Sequence, residues 1–131
     1  MSMTATSMSP LLASWVADAV LVLHGLFIAW VVLGAWAVWR RPRLAWLHLP
    51  CAAWGVTIEW SGGTCPLTPL EWRLRALAGE MPGRGGFIDH YLTAAIYPEG
   101  LTREWQWALG AGVLVVNGLA YVALLVRARS A

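Results

Sequence analysis

Long apolar runs separated by short polar segments dominate the pattern of this chain. The runs cover about residues 11–39, 44–60 and 105–126, and a helix needs roughly 20 residues, with a lower limit near 17, to cross the hydrocarbon core of a bilayer. The turn RRPR joins the first two runs, and its proline cannot continue a helix. The pattern therefore predicts an all-α integral membrane protein with an antiparallel transmembrane hairpin and a third transmembrane helix.

The segment 61–104, between the second and third runs, predicts two short helices on one face of the membrane. Thr68 precedes a proline, and Glu71 follows three residues after it, which is the pattern of a capping box at the start of a helix over 69–78. A second helix is predicted over 87–97. Both are too short to cross the bilayer, so we expect them to be interfacial or re-entrant, and the sequence leaves both alternatives open.

The length of 131 residues suits one domain. We expect a disordered tail over residues 1–10 and a single membrane domain over 11–131, with Thr102 as the N-cap of the last helix. The first apolar run is longer than the core of a signal peptide, so we expect it to remain as an uncleaved helix.

Composition supports a membrane protein. Hydrophobic residues make up 59% of the chain and charged residues 12%, against roughly 25% charged in a typical soluble domain. A soluble protein of this size exposes too much surface to bury that apolar fraction. The net charge is only +2 and the arginines are scattered, so we expect a lipid bilayer as partner and no nucleic acid.

The arginines also predict an orientation. Five lie next to the ends of apolar runs on one side of the membrane, namely Arg40, Arg41, Arg43, Arg127 and Arg129. The other side has four arginines, of which only the last lies next to a run: Arg73, Arg75, Arg84 and Arg103. Because basic residues close to span ends favour the cytoplasm, we expect the C-terminus inside and the N-terminus outside, with 61–104 facing outward.

Several polar side chains are expected to converge at the outer face. In an antiparallel hairpin His24 and Glu59 lie at equal distances from the turn, roughly 24 Å at 1.5 Å per residue. Asp18 lies level with the loop that contains Cys65, and the short outer helices carry an adjacent Asp and His. The predicted cluster consists of Asp18, His24, Glu59, Cys65, Asp89 and His90.

This cluster has two interpretations. His24, Glu59 and His90 offer imidazole and carboxylate groups, which suit a divalent metal such as zinc, iron or manganese, although the spacings HxxxH, HExxH and CxxC are absent. Alternatively the cluster is a polar network that holds the outer helices to the hairpin. A haem between His24 and His48 fits poorly, because their predicted depths differ by roughly 15 Å.

Two stretches carry a resemblance to a known family: WLHLPCAAWGVTIEWSGGTCPLTPLEWRLR and GGFIDHYLTAAIYPEGLTRE. Through these two stretches the chain resembles the bacterial membrane family catalogued as domain of unknown function 2784. The resemblance extends from about Asp18 to Arg127. The resemblance implies a small multi-pass protein of the bacterial inner (cytoplasmic) membrane. It implies no activity, substrate or catalytic residue, so the catalytic residues are unknown.

The leading functional hypothesis is a non-catalytic accessory, assembly or interaction subunit, either a homo-oligomer or part of a larger membrane complex. No nucleophile elbow, phosphate loop or dinucleotide fingerprint is present. The alternative is a metal- or redox-binding membrane protein, or an enzyme, whose outer-face site is the predicted cluster. A proton or solute pathway is a third hypothesis, which would require an oligomer because three spans are few.

Overall fold

The computed structural model describes residues 8–82, 87–96 and 102–130. In these residues the regular structure is entirely helical, which confirms the predicted all-α class. The α-helices are α1 (Pro10–Arg40), α2 (Ala45–Ser61), α3 (Leu67–Leu77), α4 (Phe87–Ile96) and α5 (Arg103–Arg129). A short 3-10 turn over Pro42–Leu44 joins α1 to α2. With 31 and 27 residues, α1 and α5 are long and apolar enough to cross a membrane.

Of the two predicted N-terminal caps, one is confirmed and one is not. Thr102 caps α5 as expected, since its side chain accepts a hydrogen bond from the Trp105 N–H at 3.2 Å. The capping box predicted at Thr68 is wrong, because α3 begins one residue earlier, at Leu67. The Thr68 N–H already donates to the carbonyl of Cys65 at 2.9 Å, and the Glu71 side chain bonds to Arg75 instead of reaching back to the helix start.

The chain divides into two compact units. One contains Met1–Gly25 and Thr64–Glu99, and the other contains Leu26–Gly63 and Gly100–Ala131. Helix α1 thus contributes its first half to one unit and its second half to the other. The single membrane domain over 11–131 and the disordered tail over 1–10 stay predictions, and residues 1–7 of that tail lie outside the described residues.

The first unit contains the first half of α1 together with α3 and α4. The buried side chains of α1 here are Ala13, Ala17, Leu21 and His24, a spacing of three or four residues that places them on one helix face. At Gly25 an added Cβ would lie 3.2 Å from the Leu92 side chain, so α4 packs closely against α1 at this glycine.

In the second unit, α2 runs antiparallel to α5. His48, near the start of α2, bonds to Tyr121, near the end of α5. Trp60, at the other end of α2, stacks on Trp107 with ring centroids 5.5 Å apart. The face of α5 that carries Gly110 and Tyr121 therefore packs against α2.

Two glycines allow the helices of this unit to approach each other closely. A Cβ added at Gly34 of α1 would lie 2.3 Å from His48 Cδ2, and one added at Gly110 of α5 would lie 2.4 Å from the Trp60 indole. Both distances are shorter than a van der Waals contact between heavy atoms. A side chain at either position would force the aromatic or imidazole ring of α2 to move.

Candidate functional site

Arg75 lies at the centre of a group of carboxylates in the first unit. Its side chain is fully buried, and three of its nitrogens donate to different residues. Nε donates to Glu71 at 2.8 Å, Nη1 to Glu80 at 3.1 Å and Nη2 to Asp18 at 2.6 Å. A fourth carboxylate, that of Asp89, lies 3.4 Å from Nη2. These five residues are called the Arg75 cluster below.

The cluster joins three helices and one helix end. Asp18 lies on α1 and Asp89 in the first turn of α4. Glu71 and Arg75 are four residues apart on α3, a spacing that places two side chains side by side on a helix. The guanidinium therefore bonds to groups that come from separate parts of the chain.

The end of α3 explains how Glu80 reaches the guanidinium. Gly79 has a φ of +73°, in the left-handed region that glycine adopts without strain. The Gly79 N–H donates to the carbonyl of Ala76 at 3.1 Å, and the Glu80 N–H donates to that of Arg75 at 2.8 Å. This is a Schellman motif, and it turns the chain back so that Glu80 lies beside the helix it has just left.

Two hydroxyl groups complete the surroundings of the carboxylates. The Ser14 hydroxyl donates to Glu80 at 2.7 Å, and the Thr93 hydroxyl donates to Asp89 at 3.0 Å. Ser14 lies one turn before Asp18 on α1, so two successive turns of α1 contact the cluster. Glu80 and Asp89 thus each accept a hydrogen bond from a hydroxyl group in addition to their contact with Arg75.

Burial decides the protonation behaviour of the cluster. Glu71 is only 2% exposed, and this burial raises its pKa above the usual range, although Arg75 opposes the shift. For Arg75 burial acts in the opposite direction, but hydrogen bonds to Asp18, Glu71 and Glu80 outweigh it and raise its pKa. Arg75 therefore stays a cation, and burial moves the pKa of Glu71 upward in spite of this neighbouring cation.

Glu71 Oε1 accepts from Arg75, but Glu71 Oε2 is buried and has no hydrogen-bond partner within the described part of the chain. An unpartnered buried oxygen is costly when the group is ionised. Burial of this oxygen costs less free energy when the carboxyl group is neutral than when it is ionised. This agrees with the direction of the Glu71 pKa shift.

The structure brings part of the predicted cluster together. Asp18 and Asp89 both lie within 3.4 Å of Arg75 Nη2. In the same unit, His24 is buried on α1, and His90 is exposed with its ring edge-on to Tyr91 at 5.1 Å between centroids. Cys65 is a half-buried free thiol. A common site for all six residues stays a prediction.

Glu59 belongs to the second unit, where α2 ends. Arg103 donates to the main-chain carbonyl of Glu59 at 2.7 Å and to that of Trp60. Gly62 follows with a φ of +69°. Arg103 thus satisfies carbonyls that the end of α2 leaves without intrahelical partners. The Glu59 carboxylate itself has a buried oxygen, Oε2, for which the described residues provide no hydrogen-bond donor.

The described residues contain no group of three or more His, Cys, Asp or Glu side chains arranged to hold a metal ion. In the Arg75 cluster the guanidinium already occupies the position between the carboxylates that a cation would take. The metal site predicted at His24, Glu59 and His90 receives no support from this geometry and stays a prediction.

A second polar network lies in the second unit and centres on His48, whose side chain is fully buried. Nδ1 lies 2.7 Å from the Tyr121 hydroxyl, and Nε2 lies 3.3 Å from the main-chain carbonyl of Val31. The same carbonyl accepts from the Asn117 side chain at 3.0 Å. These contacts connect α1, α2 and α5. Both ring nitrogens of His48 already have partners. His48 could therefore become an axial ligand of a haem iron only if one of these two contacts were broken.

Sequence reasoning missed the centre of the Arg75 cluster. Glu71 and Arg75 are not part of the cluster predicted from the sequence, but they are among the most buried side chains of α3. Their spacing of four residues was a signal of an ion pair. Gly79 before Glu80 was a signal that the chain turns back at that point. Neither signal indicates that the pair is buried.

In the residues described, the chain is all-helical, and two of its helices are long and apolar enough to cross a membrane. These features define the class of protein. The family model described as Protein of Unknown function (DUF2784) matches residues 14–122, and the chain belongs to this family. The resemblance seen in the sequence is thus confirmed. No curated protein and no solved structure matches the chain.

Proposed function

We propose that this chain is a non-catalytic membrane protein that serves as an accessory, assembly or interaction subunit. The observation that carries the proposal is the set of hydrogen bonds that Arg75 makes within its own chain. Its three donating nitrogens all bond to carboxylates of the same chain, at 2.6–3.1 Å, and its side chain is fully buried.

This arrangement suits a structural role better than a catalytic one. A substrate could reach the guanidinium only by displacing a carboxylate, and that would leave a buried charge without its partner, at a cost of several kcal/mol. Buried ion pairs add little net stability compared with apolar packing, but they restrict which helix faces can meet. The Arg75 cluster therefore specifies how α1, α3 and α4 pack.

The surface of α5 supports an interaction role. Its apolar side chains remain widely exposed: Val115 58%, Leu119 67% and Val122 59%. A Cβ added at Gly112 or Gly118 would meet nothing within 4 Å. In a bilayer, small residues on an uncovered face permit the close approach of another helix. This face is where we propose that a second subunit binds.

For the membrane arrangement, we propose that α1, α2 and α5 are three spans in the bacterial inner membrane. The C-terminus faces the cytoplasm, and α3 and α4 lie at the outer face. The arginines that flank the ends of α1 and α5 support this orientation. With 17 residues and an internal proline, Pro50, α2 is at the lower limit for a span.

Labelling with a membrane-impermeant maleimide tests the orientation in bacterial cells that express a Cys51→Ala, Cys65→Ser background. We expect Thr64→Cys to react in intact cells, because this exposed residue follows the end of α2. Ser130→Cys should react only after the membrane is permeabilised. The reverse pattern would contradict the orientation.

The interaction role is tested by photo-crosslinking from α5. A photoreactive amino acid at position 115 or 119 should give a discrete product of higher mass, because both side chains lie on the uncovered face. The matched control is position 11 of α1, which is 71% exposed and should give no such product. Migration as a lone monomer in mild detergent, together with no crosslink from α5, would overturn the proposal.

One observation favours the alternative, a metal- or redox-binding protein or an enzyme with an outer-face site. Glu59 and Glu71 each carry a buried oxygen that accepts no hydrogen bond from any described residue. Such an oxygen is available to a proton or to a cation. Elemental analysis separates this alternative from the structural role, as set out in the Discussion.

A further inference from the structure

Five exposed arginines lie at one end of the second unit, and this group is called the arginine end below. Three are in or next to the turn after α1 and two are in the last turn of α5, namely Arg40, Arg41, Arg43, Arg127 and Arg129. The guanidinium of Arg127 lies 5.3 Å from the centroid of the Trp39 ring. This contact holds the end of α5 beside the end of α1, so the two groups of arginines form one surface.

No carboxylate of the second unit neutralises this surface. The acidic residues in its sequence are Glu59 and Glu104, and both lie at the opposite end of α5, near Arg103. Glu104 precedes Arg127 by a helical length of about 35 Å at 1.5 Å per residue, whereas charges in physiological salt are screened over about 8 Å. Within residues 8–82, 87–96 and 102–130, none of the five arginines forms an ion pair.

Two of the guanidinium groups are positioned by indole rings. Arg40 lies over the Trp36 ring at 4.3 Å, and Arg127 lies over the Trp39 ring at 5.3 Å. Trp36 and Trp39 are three residues apart and are therefore neighbours on α1. A guanidinium that lies over an indole ring can still donate its N–H groups to the oxygens of a phosphate.

The same end carries widely exposed indoles, with Trp36 at 66% and Trp46 at 88%. Indoles favour the level of the lipid headgroups, where one edge is apolar and the other is hydrated. Apolar side chains of α1 and α5 continue from this level, and Leu33 and Val126 are 66% and 59% exposed. A ligand that combines a phosphate with long hydrocarbon chains matches both parts of this surface.

We propose that the arginine end binds an anionic phospholipid, whose phosphodiester accepts hydrogen bonds from Arg40 and Arg127 while its acyl chains lie along α1 and α5. Orientation in the membrane requires only positive charge at this end. It does not require that guanidinium groups from two helices lie over neighbouring indoles. That arrangement is what indicates a site for a phosphate.

The test uses the full chain in a mild non-ionic detergent and native mass spectrometry to count bound lipids. We titrate phosphatidylglycerol, phosphatidylcholine and, as a competitor, inorganic phosphate. We expect phosphatidylglycerol to bind at lower concentration than phosphatidylcholine and to resist millimolar phosphate. Arg40→Gln and Arg127→Gln should each weaken its binding about fivefold, the effect expected for one arginine near an anionic lipid surface.

The matched control is Arg73→Gln, which removes an exposed arginine of α3 and should leave lipid binding unchanged. Arg127→Lys keeps the charge but loses the planar guanidinium, and it should also weaken binding. The circular dichroism and melting temperature of each variant must match those of the wild type, so that a loss of binding is not a loss of fold.

Equal binding of the two lipids would overturn the proposal. So would an effect of Arg73→Gln as large as that of Arg127→Gln, because the surface would then attract lipids through overall charge alone. Undiminished phosphatidylglycerol binding by Arg127→Lys would likewise indicate that charge alone attracts the lipid. Displacement of the lipid by inorganic phosphate would identify a site for free phosphate in place of a lipid site.

Discussion

Replacement of Arg75 by methionine removes a cation that contacts four carboxylates. Methionine fills a similar apolar volume but donates no hydrogen bond. Glu71 and Asp89, which are 2% and 0% exposed, would then lose their contact with this guanidinium. Asp18 and Glu80 have side chains that are 30% and 28% exposed, so water can hydrate them in part.

The expected magnitude follows from Glu71, whose buried side chain bonds to Arg75 at 2.8 Å. Removal of one member of a buried ion pair typically costs roughly 3–5 kcal/mol, because the remaining charge is left uncompensated. The partly exposed carboxylates add little, since exposed pairs contribute about 0–1 kcal/mol. We therefore expect Arg75→Met to lower the free energy of unfolding by about 3–5 kcal/mol, which corresponds to a fall in melting temperature on the order of 10 °C.

The assay is thermal unfolding in mild detergent with a thiol-reactive dye, which reports the exposure of Cys51 and Cys65. Arg73→Met is the matched control, because this arginine lies on the same helix but is exposed, and its melting temperature should stay within about 2 °C of the wild type. Arg75→Lys should fall between the two, since one ammonium cannot reproduce three hydrogen bonds fixed in a planar fork.

Equal melting temperatures for Arg75→Met and Arg73→Met would refute this reasoning. The result would mean that the carboxylates are hydrated or protonated in the folded protein, so that Arg75 is not needed to compensate them. The structural role proposed for the Arg75 cluster would then lose its support.

Three further predictions concern other parts of the molecule. Burial raises the pKa of Glu71 in the folded protein above the ordinary value of about 4.3. The Glu71 side chain therefore contributes its full stability at pH values below this ordinary pKa, and the contribution is lost as the pH rises through the folded-state pKa. The melting temperature of Glu71→Gln relative to wild type should therefore increase from acidic to neutral pH, and a constant difference would contradict this. Gly34→Ala places a Cβ 2.3 Å from His48 and should cost about 1–3 kcal/mol of stability. Gly118→Ala, which meets nothing within 4 Å, should leave thermal unfolding unchanged or shift it upward, and equal effects of the two variants would refute the close approach at Gly34. Elemental analysis and an optical spectrum of purified protein should show neither a stoichiometric metal nor a chromophore, whereas a metal that is present in wild type and lost in Glu59→Gln would establish the outer-face site.

Helices α1 and α5 could be predicted closely because their signals are local. Uninterrupted apolar runs exceed the length needed to cross a bilayer, and polar residues mark their ends. Thr102 begins α5 because a threonine side chain can accept from the N–H three residues later, whatever the rest of the chain does. The face of α5 that packs was also predictable from the spacing of Gly110, Asn117 and Tyr121.

The Arg75 cluster could not be predicted in the same way. A short helix with alternating charges normally exposes those charges, so its sequence gives no sign that Arg75 is buried. The burial of Arg75 depends on α1 and α4, whose carboxylates are far away in the sequence: Asp18 is 57 residues from Arg75. The end of α3 is a partial exception, because a glycine such as Gly79 is a local signal for the end of a helix, although it does not indicate that Glu80 lies beside Arg75.

The helical class, the two long apolar helices, the helix cap at Thr102 and the family could all be predicted from the amino-acid sequence. The helices and the cap follow from hydrophobicity and local propensity along single segments, and the family follows from the two stretches that resemble it. The carboxylates that share Arg75 and the helices that His48 connects become visible in the folded structure. A buried charge or imidazole is stable only where partners from distant segments meet it, and the packing of whole helices decides where they meet.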